Sequence, residues 1–566
     1  MLNIYKFLTL VFAFCVISKS FSQDFTDYNK SVLKNEKYYA EVLDPLFIGN
    51  FLSSILASKN GDYKNFLFFS EKALETRKTD LELLENALWA NIYLGNINRA
   101  LKIISDIELL TDEFDQEFLY PTIVELIRRN ELNSAAEISN LLGIEEHDVF
   151  IKNMVQIWDH VQKNQKANAI SKLQNYTKIT KKDSDIYFFL KVQSLIIYAY
   201  FDEYDEIINL YEELKQKLNI IPSRFYTSIA KVIHDKIDSE MAKVFLNDKL
   251  PKNLDLRLTI DNLKKIETIE LQNILSNVFY ECGYLVAKSE GLLKSVPHFW
   301  FSLHLNNNNQ NSRLVLSSFF SEIDQNDLAL EILNKNKIKS SSWIISEFEK
   351  SYLLEKKGDY KLAISIIDKI SNIDDFKDKA YLRLSNIYRR NDDFKKSIEI
   401  LNKIDLSKEE NPVIYYYKSL NLVLLKDWKN AIKSFDVLLK KYPNNPEISN
   451  FVGYTLVDRN IRLKEGIELI KFAVSQEPQN GFYLDSLGWA YYKLNDLKKA
   501  IIYLERAIEL EPQEMEITDH LGDAYFKRGR LKEAKLVWER ALSLNGDKEL
   551  LEKIRKKLEK NLKLNK

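Results

Sequence analysis

Slid by 34 residues, the segment from Gly481 to Pro512 falls onto the segment that starts at Met515, and a self-match at so short a period leaves few folds open. Each unit has to be one supersecondary element that buries its apolar face against copies of itself. In the first copy Leu484, Leu487, Gly488, Tyr491, Ala500, Leu504, Ala507 and Pro512 give the order large, large, small, large, small, large, small, proline. In the second, Leu521, Gly522, Tyr525, Ala534, Trp538 and Ala541 repeat it. The spacing reads as a helical hairpin. Gly488 and Ala500 are small because its two helices cross closely there, and Tyr491 and Leu504 fill the space beside them. Pro512 ends one hairpin and opens the next, because it lacks an N–H and fixes φ.

Fainter copies run toward the N-terminus. Ala431, Phe435 and Pro443 mark one, and Gly453, Gly466, Ala473 and Pro478 mark another with one extra residue before its second helix. Leu384, Ser385, Tyr388 and Leu401 belong to a further copy, and Leu354, Gly358, Ala363 and Ile367 to the one before it. Loop words such as RRNDD and KKGDY separate their helices, and KNGDYKNFLFFSEKAL and YLGNINRALKII carry the same turn near the start. Only 14 Gly and 10 Pro in 566 residues leave little to interrupt helices, so the fold class is all-α. Between Asn130 and Leu316 the helices are amphipathic but show no clean register, and the run from Asn306 to Asn311 reads as a solvated interhelical loop that divides the array into two arms. No alternating strand pattern suggests a catalytic domain inserted there. The Lys-rich stretch from Lys548 to Lys566 reads as a cap over the last repeat.

At the N-terminus Lys6 precedes an apolar run from Phe7 to Ile17, followed by the small-x-small triplet Ser20, Phe21, Ser22, the pattern of a cleavable secretory signal. The run is shorter than the roughly 20 residues that cross a bilayer, and an uncleaved N-terminal anchor is the alternative to cleavage. Phe14 stands where a lipoprotein signal carries a small residue, so Cys15 belongs to the apolar run. The expected organisation is a signal peptide over 1–22, N-terminal hairpins over 23–130, a degenerate helical region over 131–316, a C-terminal array over 317–547 and a capping helix over 548–566. Cleavage leaves Cys282 as the single cysteine, a buried small hydrophobe without a disulfide partner. With 81 basic and 82 acidic side chains the net charge is −1, so no global field favours nucleic acid or an anionic membrane, and membrane contact is at most peripheral.

The 34-residue pattern resembles the tetratricopeptide repeat (TPR) family, which implies a right-handed α-α superhelix (solenoid) of helical hairpins. The words FVGYTLVDRNIRLKEGIELI, DSLGWAYYKLNDLKKAIIYLERA and DHLGDAYFKRGRLKEAKLVWERAL are similar to bacterial envelope TPR proteins. Among these is an outer-membrane TPR lipoprotein that acts as adaptor for a carboxyl-terminal processing protease. What the resemblance implies is a non-enzymatic scaffold in the periplasm or cell envelope of a Gram-negative bacterium, with protein partners such as an envelope protease or its clients. The alternative is a structural subunit of an export, polysaccharide-secretion or outer-membrane assembly machine. Neither the partner nor the oligomeric state is written in the sequence.

In a TPR hairpin the first helix lines the concave groove. Counting back from Gly488 puts Phe482, Asp485, Trp489, Tyr492 and Lys493 on that face, and the next repeat adds Glu516, Asp519, Asp523, Phe526 and Lys527. Aromatics interleaved with charge suit a peptide or helix of a partner. The Lys and Asn constellation that holds a terminal carboxylate in chaperone-binding TPR domains is missing. The acidic positions suit either basic segments or the helix dipole. His147, His160, His234, His298, His304 and His520 form no HExxH and no Cys/His pairing, and no GxSxG or phosphate loop occurs. No catalytic residue, metal site or cofactor is therefore expected. His298 and His304, six apart, read as surface or packing residues, and His520, next to Leu521, as facing the border of the helix pair.

Overall fold

The computed structural model describes residues 45–111, 118–216, 226–242, 270–335, 343–373, 376–404, 411–544 and 548–564. Among them every extended regular element is an α-helix and none is a strand. The expected signal segment and its cleavage point lie outside the described residues. Two compact units divide at Asp359 and Tyr360.

Unit 1 opens with four hairpins: α1 (Pro45–Lys59) with α2 (Tyr63–Thr76), α3 (Leu81–Tyr93) with α4 (Ile97–Glu108), α5 (Leu119–Arg128) with α6 (Leu132–Ser139), and α7 (Glu146–Gln162) with α8 (Lys166–Ile179). Next come α9 (Asp185–Tyr200), α10 (Tyr204–Gln216) and α11 (Tyr226–Lys236), then the hairpins α12 (Leu271–Ser289) with α13 (Leu292–Leu305) and α14 (Gln310–Glu322) with α15 (Asn326–Asn334). The unit ends at α16 (Trp343–Lys356). Unit 2 holds α17 (Tyr360–Ile370), followed by the hairpins α18 (Lys377–Arg390) with α19 (Phe394–Leu401), α20 (Pro412–Leu424) with α21 (Trp428–Lys441), α22 (Pro446–Asp458) with α23 (Leu463–Gln476), α24 (Gly481–Lys493) with α25 (Leu497–Leu510) and α26 (Met515–Lys527) with α27 (Leu531–Ser543). The last helix, α28 (Lys548–Leu564), buries Ile554 and Leu558 in the core of that final hairpin.

The loop words turn out to be one device used repeatedly. At Gly61, Asp392, Lys426 and Asn495 the first helix of a hairpin ends on a left-handed residue. The N–H of the next residue then reaches back five positions, as from Asp393 to Tyr388 O (2.9 Å) and from Asp427 to Leu422 O (3.0 Å), which satisfies a carbonyl the helix end would otherwise leave open. That same aspartate caps the second helix. Asp62, Asp393, Asp427 and Asp496 each accept from a backbone N–H three residues on. The extra residue between α22 and α23 is absorbed by two left-handed residues, Asn460 and Arg462.

Close helix crossing lies where the small residues predict it. A Cβ on Gly453 would meet Gly466 O at 2.7 Å, and one on Gly488 would meet Leu504 Cγ at 2.6 Å. Ala500 beside Leu504 is fully buried.

The register lost between Asn130 and Leu316 has a structural counterpart. Instead of extending a plain stack, α12 and α13 lie back across earlier first helices of unit 1, α12 on α7 and α13 on α5 and α3. Trp300 Nε1 donates to Tyr93 O (2.9 Å), and its indole presses on Gly95, where any side chain would collide with it. Phe301 stacks on Tyr120 with centroids 6.2 Å apart. Further on, Tyr63 of α2 meets Phe319 and Phe320 of α14. The run from Asn306 to Asn311 is also more than a solvated loop. Asn307 and Asn308 are exposed, but Asn309 is a buried cap that accepts from Ser312 N–H and donates to Ser276 Oγ (3.0 Å). The buried guanidinium of Arg313 donates to Asn307 O (2.6 Å) and Ile332 O (3.2 Å).

Candidate functional site

The first helices of the last hairpins, α22, α24 and α26, present one continuous cluster of rings and charges. His520 is its centre. The ring is buried, stacks on the Trp489 indole at 4.1 Å with 18° between planes, and donates from Nδ1 to Asp485 Oδ1 (2.9 Å). Burial pulls the imidazolium down, but the Asp485 carboxylate, by charge and hydrogen bond, with Glu516 and Asp519 behind it, outweighs this and pushes the pKa up to about 9. A protonated imidazole against an indole face also gains cation–π attraction. The expectation that His520 faces the border of its own helix pair is therefore corrected. The ring turns toward the neighbouring repeat because Asp485 holds it there.

Around this centre each repeat reaches into the one before it. Trp489 Nε1 donates to Asp458 Oδ1 (3.2 Å), and Lys493 Nζ donates to Asp458 O (2.8 Å) at the C-terminus of α22, where a cation complements the helix dipole. Lys527 repeats the move one layer on, donating to Tyr492 O (3.2 Å) with its ammonium 4.3 Å from the Tyr492 ring centroid. Tyr492 stacks on Trp489 at 4.6 Å, and Tyr454 of α22 donates its hydroxyl to Glu516 Oε1 (3.1 Å). Burial, with Glu516, Asp485 and Asp458 around it, pushes the Tyr454 phenol far up, so it remains a donor.

Of the ten residues expected on the groove, Phe482 is 49% exposed, Glu516 and Lys527 are exposed, and Trp489, Tyr492 and Lys493 are half-buried with one side open. Phe526 instead turns back onto Trp538 of α27, 5.5 Å away. The aspartates are matched to side chains of the chain itself. Asp485 is matched to His520, while Lys557 of α28 donates to Asp519 Oδ2 (2.7 Å) and Asp523 Oδ2 (2.8 Å). Burial, together with Asp519, raises the Asp523 carboxyl against the pull of Lys557. Sequence reasoning missed His520, Tyr454, Asp458 and Lys557. The signal for Tyr454 and Asp458 was present, since they stand 35 residues before Trp489 and Lys493, in the repeat with the extra residue.

Unit 1 holds a second cluster of titratable groups. Contrary to expectation, Cys282 has a histidine partner, His298 Nδ1 at 3.5 Å, brought across the α12–α13 hairpin. Both are buried, and His298 lies edge-on to Tyr120 at 4.9 Å. Burial drives the thiol well above its ordinary pKa, and burial with His147 nearby drives the imidazole down to about 3. Both are therefore neutral, the reverse of the thiolate–imidazolium pair that nucleophilic chemistry needs. His304 binds Glu125 (3.1 Å), whose carboxylate the Arg128 guanidinium holds down at about 2, helped by His304 and Arg129. Among the described residues no group of three or more His, Cys, Asp or Glu could hold a metal ion, and no helix is long and apolar enough to cross a membrane.

Hairpins joined by short turns and packed first helix to first helix make this a TPR-type α-α superhelix. Tetratricopeptide repeat models match residues 378–411, 414–445, 481–514 and 519–548, so those four segments are tetratricopeptide repeats. The α22–α23 hairpin with the extra residue lies between the matched segments. A TPR repeat-containing protein of Pseudomonas aeruginosa is 27% identical over 161 residues, covering 28% of this chain and 27% of that protein. The match thus spans about a quarter of that relative's length. Among solved structures, MamA from Desulfovibrio magneticus is 24% identical over 30% of this chain and 94% of its own, with a TM-score of 0.26. Yeast Tom70 is 14% identical over 92% of this chain and 96% of its own, with a TM-score of 0.39.

Proposed function

We propose that this chain is a non-enzymatic adaptor exported to the bacterial cell envelope, and that it takes a segment of a protein partner on the first-helix face of α22, α24 and α26. The observation that carries the reading is an aromatic surface held ready before any partner arrives. Trp489 and Tyr492 are fixed by each other, by His520 and by the two lysines Lys493 and Lys527, yet are only half-buried, and Phe482 stands beyond them in solvent. Rings immobilised in advance lose little entropy when a partner covers them. In unit 1 the matching face of α3, α5 and α7 is taken by the chain's own α12 and α13. Export rests on the Lys6, Phe7–Ile17, Ser20–Ser22 pattern.

The test is a crosslinking pull-down from envelope extract with the full chain and with Phe482→Ala/Tyr492→Ala. Loss of a specific protein partner with an unchanged helical spectrum is expected. Equal capture by the variant would place the partner elsewhere, and stoichiometric copurification with a membrane machine in both forms would favour a structural subunit.

A further inference from the structure

In a stack of helical hairpins the connections from each second helix to the next first helix fall on one edge. On that edge of unit 1 three successive connections put large aliphatic side chains into solvent. Leu109 after α4 is 84% exposed, Ile144 after α6 is 92% exposed and Ile179 at the end of α8 is 80% exposed, with Leu141 near Ile144. Scattered exposed leucines need no explanation. Three in register at the layer spacing of roughly 10 Å form a stripe that gives folding nothing and is a recognised mark of an interface.

The charges beside the last two connections form no ion pair among the described residues. Glu145 and Glu146 follow Ile144, and Lys178, Lys181 and Lys182 surround Ile179, all exposed. Among the described residues none of these five forms an ion pair, although other exposed residues of the unit do, as Lys166 does with Glu203. A cleft of about 500 Å³ runs along α7 and α8, from His160 and Asn168 beside their turn past Asn153, Lys172 and Asn175 to Ile179 at the connection. Among the described residues the Lys172 ammonium has no carboxylate partner. Burial, and Lys152 beside it, disfavour its charge. An apolar, acidic connection thus leads into α7, whose cleft with α8 carries Lys172 and ends at the aliphatic Ile179 among lysines.

We propose that a second copy of this chain pairs with unit 1 across this edge, the Leu141–Ile144 connection and Glu145 and Glu146 of each copy seating in the Lys172 cleft of the other about a two-fold axis. The order of features supports this occupant. Turned about an axis between the two connections, the edge meets itself with acid against base and aliphatic against aliphatic, the self-complementarity an isologous interface requires. A purely anionic or purely cationic partner would face like charge at one of the two connections.

Sedimentation equilibrium of the full mature chain tests it. The expected mass is that of a dimer, reduced to a monomer by Ile144→Asp, a change at an exposed position that leaves the helical spectrum intact. Reversing Glu145 and Glu146 to Lys, or Lys181 and Lys182 to Glu, is expected to weaken association by at least about tenfold through like-charge contact. A chain carrying both reversals together with Lys172→Glu and Lys178→Glu regains it, because acid and base are then exchanged throughout the contact. A monomeric wild type, a dimer indifferent to Ile144→Asp, or a full reversal no tighter than the single ones would each overturn the pairing. So would a monomer whose Ile144→Asp form loses binding to another protein or to phosphatidylglycerol vesicles, because the stripe then serves that occupant.

Discussion

His520 and His298 show how burial with and without a counter-charge sends the same side chain in opposite directions. With Asp485 against it, His520 titrates near 9, above the roughly 6.5 of an unfolded chain. Its contribution is complete below about pH 6.5 and is lost as pH rises through about 9, up to about 3 kcal/mol at 1.36 kcal/mol per unit. His298 has its pKa depressed to about 3, so its contribution is present above about pH 6.5 and drains away as pH falls. Hydrogen exchange followed against pH should therefore show α24 and α26 loosening on the alkaline side and α12 and α13 on the acid side. His520→Gln should remove the first slope and His298→Phe the second, and a slope that survives its own substitution would assign the proton elsewhere. Lys426 is a simpler case. It holds a left-handed φ of 59°, where other turns of this kind use Gly, Asn or Asp. Lys426→Gly should raise stability by about 1 kcal/mol, seen as a higher denaturant midpoint for unit 2. The turn itself could be read from its loop words. The histidine environments could not, because each depends on a partner carried by another helix, Asp485 for His520 and Cys282 for His298.

Among the helices, the last two hairpins were the most legible part of the chain. Gly488, Ala500, Leu504 and Trp538 stand at the crossings their spacing demands, because an intra-hairpin contact is fixed by a constant offset along the chain. Gly488→Leu should destabilise these hairpins by roughly 1–3 kcal/mol, since the added side chain meets Leu504 at a distance no rotamer relieves. Unaltered exchange protection in α24 and α25 would refute that packing. Contacts between repeats left a weaker trace. Trp489 reads from its position as a groove residue with its core on the opposite face, and Leu484 and Leu487 are indeed buried there. Its indole is nevertheless committed to His520 and Asp458. Trp489→Ala should therefore cost stability as well as contact area, by about 2 kcal/mol for the lost ring, and Phe482, exposed beyond the stack, is the cleaner probe of binding. A Trp489→Ala melting temperature equal to wild type would return the indole to the groove alone.

Across the whole molecule, the sequence announces repeats but hides that the two units hold together by different means. Unit 2 is a succession of neighbouring layers, each hairpin supported by the next, so damage stays near its origin. Unit 1 adds contacts between distant segments. Trp300 reaches Tyr93 across 207 positions and His304 reaches Glu125 across 179, and no fixed period can encode such pairs, which is why the register fades through this region. Contacts of that range make the layers they join fail together rather than one by one. Trp300→Ala tests this directly. It removes an indole wedged on Gly95 and the hydrogen bond to Tyr93 O, a loss of about 3 kcal/mol. Amide exchange should then accelerate together in α3, α5, α12 and α13, although the substitution touches α3 and α13 alone. Protection in α24 and α26 should stay at its wild-type level. Exchange confined to α13 would mean that unit 1 is as local as unit 2, and equal acceleration in α24 and α26 would mean that the two units unfold as one body.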